Sequence, residues 1–129
     1  MNGRYLLDTN IVIDLLGNNK SIVEKIERLE EVYIPVTVIG ELYFGAFKSQ
    51  KVEKNLESIT SLLETANVLE DNVETAKVYG EIKSSLKQKG RPIPENDIWI
   101  AAIAKYNELT LLTKDEHFKE VPDLSVESL

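Results

Sequence analysis

The chain has 129 residues, 43% of them hydrophobic, so we expect one soluble domain spanning residues 1–129 with a core large enough to fold unaided. It contains no cysteine, which excludes disulfides and thiolate metal sites; with no signal-peptide pattern and no apolar run near the ~20 residues of a membrane span, we expect a cytoplasmic protein. The formal net charge of −7 argues against binding nucleic acid through a broad basic surface, although an acidic site filled by metal would escape that objection.

Apolar segments and capping residues predict alternating strands and helices in the first half of the chain. The segment RYLL is a short strand, and IVIDLLG begins a helix that Gly17 and Asn18 end. A second helix, SIVEKIERLEE, has Ser21 as its predicted cap, and the strand VYIPV follows it. Thr37 is the predicted cap of the helix TVIGELYFGAFKS, and KVEKNLESITSLLET forms another helix.

The same alternation continues in the second half. NVLE is a third short strand, and VETAKVYGEIKSSLKQKG is a long helix that ends at Gly90. After the turn RPIP, the segment ENDIWIAAIAKYNE is apolar almost all round, which predicts a buried helix. LTLLT is a strand, and LSVESL is a last edge strand. Short apolar strands between helices predict an α/β fold with a mostly parallel central sheet sandwiched by helices.

Acidic residues stand where the predicted strands end. Asp8 follows the first strand, Glu41 lies one turn into the helix after the second, Asp97 begins the buried helix, and Asp115 follows LTLL by two residues. Each has an ordinary explanation: a helix cap, a solvated helix residue, an acid near a helix N-terminus, and a turn. In parallel α/β folds, however, function collects outside the carboxyl ends of the strands. Four acids at such ends therefore favour one shared acidic cluster.

Four segments resemble the successive motifs of PIN-domain ribonucleases, in particular the VapC toxins of bacterial and archaeal toxin–antitoxin pairs. They are LLDTNIVIDLL, PVTVIGELYFGA, GRPIPENDIWIAAIA and LLTKDEHFKEVPDL. The resemblance implies a PIN-like α/β/α fold, an endoribonuclease, a homodimer and a small VapB-like antitoxin partner. The family's catalytic and metal-binding acids fall on Asp8, Glu41, Asp97 and Asp115, accessory polar positions fall on Asn10 and Thr113, and His117 stands where another acid is often found.

Phosphodiester hydrolysis explains why such a protein needs converging acids. The reaction requires a stronger nucleophile than water and neutralisation of the phosphate charge, and divalent cations provide both. Mg²⁺ and Mn²⁺ prefer oxygen ligands. We therefore expect Asp8 and Asp97 to be primary ligands, Glu41 to bind metal or orient the water, and Asp115 to bind a second ion. The resemblance implies products with a 5′ phosphate and a 3′ hydroxyl.

Two further features leave alternatives open. His117 is the only histidine, and a surface histidine packed beside Phe118 is favoured over a catalytic one. A basic segment precedes Asp97 in this acidic chain, and it could hold RNA phosphates or form a solvated helix end that the helix dipole favours. The basic segment comprises Lys83, Lys87, Lys89 and Arg91.

Other classes of protein fit less well. Asp8 with Thr113 and Lys114 imitates a receiver-like phosphoacceptor domain, but the first strand is followed by one acid rather than the pair which that class requires. A phosphatase of the haloacid-dehalogenase type would have Asp-x-Asp after the first strand, whereas position 10 is Asn10. A catalytically silent PIN interaction module is a third alternative, which the intact set of acids disfavours.

Overall fold

The computed structural model describes residues 3–129, which form five strands, six α-helices and one 3-10 helix. The strands are β1 (Arg4–Leu7), β2 (Glu31–Pro35), β3 (Val68–Leu69), β4 (Thr110–Thr113) and β5 (Val126–Ser128). The helices are α1 (Thr9–Leu16), α2 (Lys20–Glu27), α3 (Val36–Phe47), α4 (Val52–Thr65), α5 (Val73–Lys89) and α6 (Glu95–Tyr106), with the 3-10 helix at Glu116–Glu120.

All five strands are parallel and lie in the order β3-β2-β1-β4-β5, so the predicted α/β fold is confirmed. The central strands β1 and β4 are almost wholly buried, with Leu6, Leu7, Leu111 and Leu112 fully enclosed. Burial on both faces of a parallel sheet explains why these segments read as continuous apolar runs rather than alternating ones. Because β1 and β4 are neighbours, the residues that follow them emerge side by side at one edge.

Two predicted helix caps were wrong. Helix α2 is capped by Asn19, whose side chain accepts a hydrogen bond from the backbone N–H of Ile22. Ser21, the predicted cap, lies two residues later and is already inside the helix. Helix α3 has Pro35 at its cap position without a side-chain hydrogen bond, and Thr37 already lies inside the helix. The strand β2 runs directly into α3, which leaves no polar linker in which a capping side chain could stand.

Helix α6 is the buried helix that the sequence predicts. Six of its residues are buried, and they cover most sides of the helix: Ile98, Ile100, Ala101, Ala102, Ile103 and Ala104. Such packing fixes the backbone of the first turn, where Asp97 stands. Although α6 is apolar, neither it nor any other helix within residues 3–129 is both long and apolar enough to cross a membrane.

Candidate active site

The four predicted acids line one cavity of about 570 Å³ at the carboxyl ends of β1 and β4. Asp8 arrives from the end of β1, Glu41 from α3, Asp97 from the first turn of α6, and Asp115 from the turn after β4. Glu95, which sequence reasoning did not single out, lines the same cavity. The structure therefore brings together residues that are separated by up to 107 positions in the chain.

Asp8 both caps helix α1 and belongs to the acidic cluster. Its backbone N–H continues the sheet by donating to the carbonyl of Leu112, 3.1 Å away. One carboxylate oxygen accepts from the backbone N–H of Thr9 at 2.8 Å, and the other accepts from the hydroxyl of Thr113 at 2.6 Å and the amide of Asn10 at 3.2 Å. Three donors hold the carboxylate of Asp8, whose residue is only 2% exposed, in one orientation.

Asn10 and Thr113, the predicted accessory residues, join the two strand ends. The oxygen of the Asn10 amide accepts from the backbone N–H of Lys114 at 3.2 Å, which fixes the orientation of the amide because an N–H can only donate. Its nitrogen therefore faces the carboxylates of Asp8 and Asp115, at 3.2 and 3.3 Å. The hydroxyl of Thr113 donates to Asp8 and accepts from the backbone N–H of Asp115 at 3.0 Å.

Glu41 is held by a residue that the sequence did not reveal as part of the site. The hydroxyl of Thr9 donates to a carboxylate oxygen of Glu41 at 3.0 Å, while the backbone N–H of Thr9 holds Asp8. One threonine thus connects the carboxylates of β1 and α3. The signal that could have revealed it is its position, since it directly follows Asp8 at the strand end.

His117 packs beside Phe118, as the sequence interpretation expected, and it also contacts the acidic cluster, which the sequence did not show. Its Nε2 atom is 2.7 Å from a carboxylate oxygen of Asp97. The ring also packs against Phe118 with the ring centres 4.8 Å apart, and Phe118 is fully buried. The contact spans 20 positions in the chain, so local sequence could not show it.

Burial and mutual repulsion raise the pKa values of three of these acids. Burial raises the pKa of Asp8 above its ordinary value against the opposing hydrogen bond from Thr113, and burial likewise raises the pKa of Glu41. For Asp97, burial and then the charge of Asp8 raise the pKa from 3.8 to about 6, although His117 lowers it. The cluster therefore carries negative charge that the protein does not compensate.

The donor set fits a hard divalent cation. Carboxylates surround the cavity, and neither lysine nor arginine is among its lining residues within the described part of the chain. The ammonium group of Lys114, the nearest in sequence, pairs with Asp14 instead. Oxygen ligands of this kind suit Mg²⁺ and Mn²⁺, and a bound cation would relieve the repulsion that raises the pKa values. The residues able to hold it are Asp8, Glu41, Asp97 and Asp115.

The basic segment is largely paired with nearby groups. Lys83 lies 3.0 Å from Glu95, Arg91 lies 3.7 Å from Glu120, and Lys89 donates to the backbone carbonyl of Glu120. Lys87 makes no ion pair within residues 3–129. Contact with RNA through this segment stays a prediction, and Lys87 is the residue best placed to test it.

The raised pKa values predict that the metal-free chain is more stable in mild acid. An acid whose pKa is raised by folding stays protonated in the folded state, so the free energy of unfolding falls as the pH rises from about 4 to about 6. For Asp97 alone the gain at pH 5 over pH 7 is about 1 kcal/mol, because one pKa unit corresponds to ~1.36 kcal/mol. Urea unfolding in chelator should show this difference in the wild type, and a clearly smaller one in Asp97→Asn. Equal pH dependence in both proteins would contradict the assignment.

Comparisons with known proteins point to one family. The family model described as the PIN domain matches residues 5–124. Ribonuclease VapC1 of Haemophilus influenzae strain R2866 is 38% identical over 125 residues, 93% of each chain. The tRNA(fMet)-specific endonuclease VapC of Shigella flexneri is 32% identical over 127 residues, 96% of each chain. The structure of VapBC2 from Rickettsia felis bound to a DNA fragment from their promoter superposes with a TM-score of 0.90 at 30% identity, covering 97% of this chain and 98% of that one.

Proposed function

The chain belongs to the VapC ribonucleases of the PIN-domain family, and on that premise we propose that it is the toxin of a toxin–antitoxin pair and cleaves RNA internally with the aid of Mg²⁺ or Mn²⁺. The observation that carries the proposal is the convergence of four acids on one cavity that no lysine or arginine lines within residues 3–129. A receiver-like phosphoacceptor domain gains no support from this arrangement. A silent PIN module is disfavoured because every acid of the set faces the cavity.

The residues have distinct parts in such a reaction. A bound divalent cation would supply a more acidic water molecule and neutralise charge on the phosphate. Asp8, fixed by three donors, would provide a ligand that needs no reorganisation on binding. Glu41, oriented by Thr9, can bind the cation or hold the attacking water. Asp97 and Asp115 line the same cavity and complete the set.

Sequencing of RNA 5′ ends after induced expression tests the proposed function. One relative is named a tRNA(fMet)-specific endonuclease. Specific recognition of RNA mostly targets single-stranded loops and ends, so we expect cuts at few positions. Expression of the wild type should stop growth and produce new 5′-phosphate ends at a small set of positions. The same ends should be absent with Glu41→Gln, which keeps the shape of the side chain but removes its charge. New ends that appear equally with both proteins would argue against the proposal.

Charge reversal at Lys87 should weaken RNA binding. Each phosphate contact of a single strand contributes about 0.7 to the slope of the logarithm of affinity against the logarithm of salt concentration. Lys87→Glu should therefore lower the slope by about that amount, and Lys77→Glu should not, since it lies ten residues or about 15 Å away along α5. Filter binding of RNA in Ca²⁺, at several salt concentrations, measures both. Identical slopes for all three proteins would leave the segment as a solvated helix end.

We infer that an antitoxin covers the surface beside the cavity. A groove of about 410 Å³ runs between α1, α3 and α4, and Ile13 and Glu41 line both this groove and the acidic cavity. On α3, Phe44 and Phe47 are 65% and 64% exposed, and Tyr43 packs beside Phe47. An apolar segment in the groove would place a following arginine near Glu41, where a guanidinium group can pair with carboxylates.

A homodimer is the assembly that the family resemblance implies. The described surface has exposed apolar side chains, including Val73, which is 81% exposed. They provide apolar surface for contact with a second copy as well as with an antitoxin. Light scattering of the purified chain, with and without its antitoxin, measures the mass directly. We expect twice the 14.6 kDa of one chain.

A further inference from the structure

We propose that His117 is a nitrogen ligand in the metal site of this chain, and that the site consequently prefers Mn²⁺ and similar transition-metal ions to Mg²⁺. The proposal rests on the proposed function for the presence of a metal site and goes beyond it by naming a ligand of a different chemical kind. Its basis is the contact between His117 and Asp97, together with the nearness of Asp115 to both.

The geometry of three side chains suits one ion. Asp97, Asp115 and His117 each offer one ligand atom, and these three atoms lie within 4.8 Å of one another. The Nε2 atom of His117 lies at hydrogen-bond distance, 2.7 Å, from a carboxylate oxygen of Asp97, so this nitrogen already faces the acids. A cation held by both residues would replace that hydrogen bond. Small side-chain movements would therefore bring all three atoms around a cation.

The fold holds the imidazole ring toward the cluster. The 3-10 helix follows β4 after two residues, and Phe118 within it is fully buried and anchors the segment. The ring of His117 packs on that of Phe118 and directs Nε2 at Asp97. The neighbouring Glu116 turns the other way, since its carboxylate pairs with Lys119 at 2.6 Å. One residue of this helix, rather than the whole segment, faces the site.

Asp97 has little else to compensate it. Within residues 3–129, the contact with His117 is the one hydrogen bond that its side chain makes, and no lysine or arginine pairs with it. A cation between Asp97, Asp115 and His117 would receive two carboxylate oxygens and one nitrogen. Mg²⁺ prefers oxygen ligands and loses its bound water reluctantly, whereas imidazole is a good ligand for transition-metal ions. A nitrogen ligand from His117 would therefore favour Mn²⁺ over Mg²⁺ in this site.

Pulsed electron paramagnetic resonance of bound Mn²⁺ tests this ligand directly. His117 is the only histidine in the chain, so in the full-length protein without an affinity tag any imidazole ¹⁴N coupling must come from it. We expect that coupling in the wild type and its loss in His117→Gln. His117→Asp should bind Mn²⁺ through oxygen alone and show no coupling, and Glu116→Gln, the matched change on the same helix, should keep it.

Calorimetric titration with Mn²⁺ and with Mg²⁺ measures the preference. Loss of a ligand in His117→Gln should weaken Mn²⁺ binding about tenfold or more and change Mg²⁺ binding much less, by analogy with the ~10 to 100-fold effects of residues that support metal ligands. Circular dichroism of each variant checks that it is folded. Glu116→Gln should retain the wild-type ratio of the two affinities.

The outcomes separate this inference from the proposed function. Bound Mn²⁺ without nitrogen coupling in the wild type, or an unchanged ratio of affinities in His117→Gln, would overturn the inference and leave His117 as a hydrogen-bond partner of Asp97. RNA cleavage by the same samples in Mg²⁺ would show that the proposed function survives that result. Absence of both cleavage and metal binding would overturn the two together.

Discussion

The substitution Asp97→Asn should reduce RNA cleavage by about a thousandfold or more while leaving the chain folded. A factor of a thousand corresponds to about 4 kcal/mol of activation free energy, and stabilisation of this order is what a bound cation contributes to phosphodiester hydrolysis. Asparagine keeps the shape of the side chain and can still hydrogen-bond to His117. The loss would therefore come from the missing charge rather than from altered packing.

The same substitution should increase the stability of the metal-free chain, although it abolishes most of the cleavage. Without metal, removal of one buried charge from the cluster should raise the free energy of unfolding at pH 7 by about 1 to 3 kcal/mol, because the raised pKa of Asp97 reflects an ionised state that folding disfavours. Metal should stabilise the wild type and much less the variant. Asp123→Asn removes a charge at a turn outside the cavity and should change neither cleavage nor metal binding. Wild-type cleavage by Asp97→Asn would show that Asp97 holds no essential ion.

The second large effect concerns inhibition by the antitoxin. We expect the antitoxin to place an arginine in the cavity. Its replacement by alanine should weaken inhibition of cleavage about a hundredfold, because a charge-assisted contact with buried carboxylates is worth about 2 to 3 kcal/mol. Added Mg²⁺ should relieve inhibition by the wild-type antitoxin, since cation and guanidinium group compete for Glu41, Asp8 and Asp97. Inhibition is measured as the antitoxin concentration that halves the cleavage rate. Equal inhibition after Arg→Ala, with no relief by metal, would mean that the antitoxin covers the RNA path instead.

The groove offers a matched test from the side of this chain. Gly45 lines the groove, and a Cβ atom at that position would meet no atom within 4 Å. Gly45→Leu should fill the space that an apolar antitoxin segment needs. Glu41 lines the same groove one turn earlier on α3, so cleavage by the variant without antitoxin is the control for an effect on that acid. We expect normal cleavage with inhibition weakened about tenfold or more, as for loss of a buried anchor. Gly45→Ala, which adds one methyl group, should remain inhibited.

Local patterns predicted most of the fold because parallel buried strands and capped helices leave strong signals. Gly90 ends α5 in the left-handed conformation, with a φ of 69°, as a glycine at that position predicts. The same logic located Asp8, Asp97 and Asp115, since each follows or precedes an unmistakable apolar segment. The cap predicted at Ser21 was wrong because several neighbouring polar residues have similar capping preferences. The cap predicted at Thr37 was wrong because β2 runs directly into α3 and Pro35 takes the cap position.

The remaining parts of the site could not be read from the sequence. Thr9 holds Glu41 across 32 positions, and His117 meets Asp97 across 20. Such contacts depend on how helices are placed over the sheet, which no local period encodes. The pairing of Lys83 with Glu95 is a further case, because the sequence left RNA binding and a solvated helix end as alternatives for the basic segment and did not show this ion pair.

The most direct test of a metal-dependent ribonuclease is cleavage of a defined single-stranded RNA by the metal-stripped chain, before and after addition of Mg²⁺ or Mn²⁺. The products are identified by their ends, and a second RNA carries a 2′-deoxyribose at the cut. We predict no cleavage without metal, restoration with it, a 5′ phosphate and a 3′ hydroxyl, and cleavage of both RNAs, because water rather than the 2′-hydroxyl attacks. Undiminished cleavage in chelator, with 2′,3′-cyclic phosphate ends and no cut in the deoxy substrate, would contradict it.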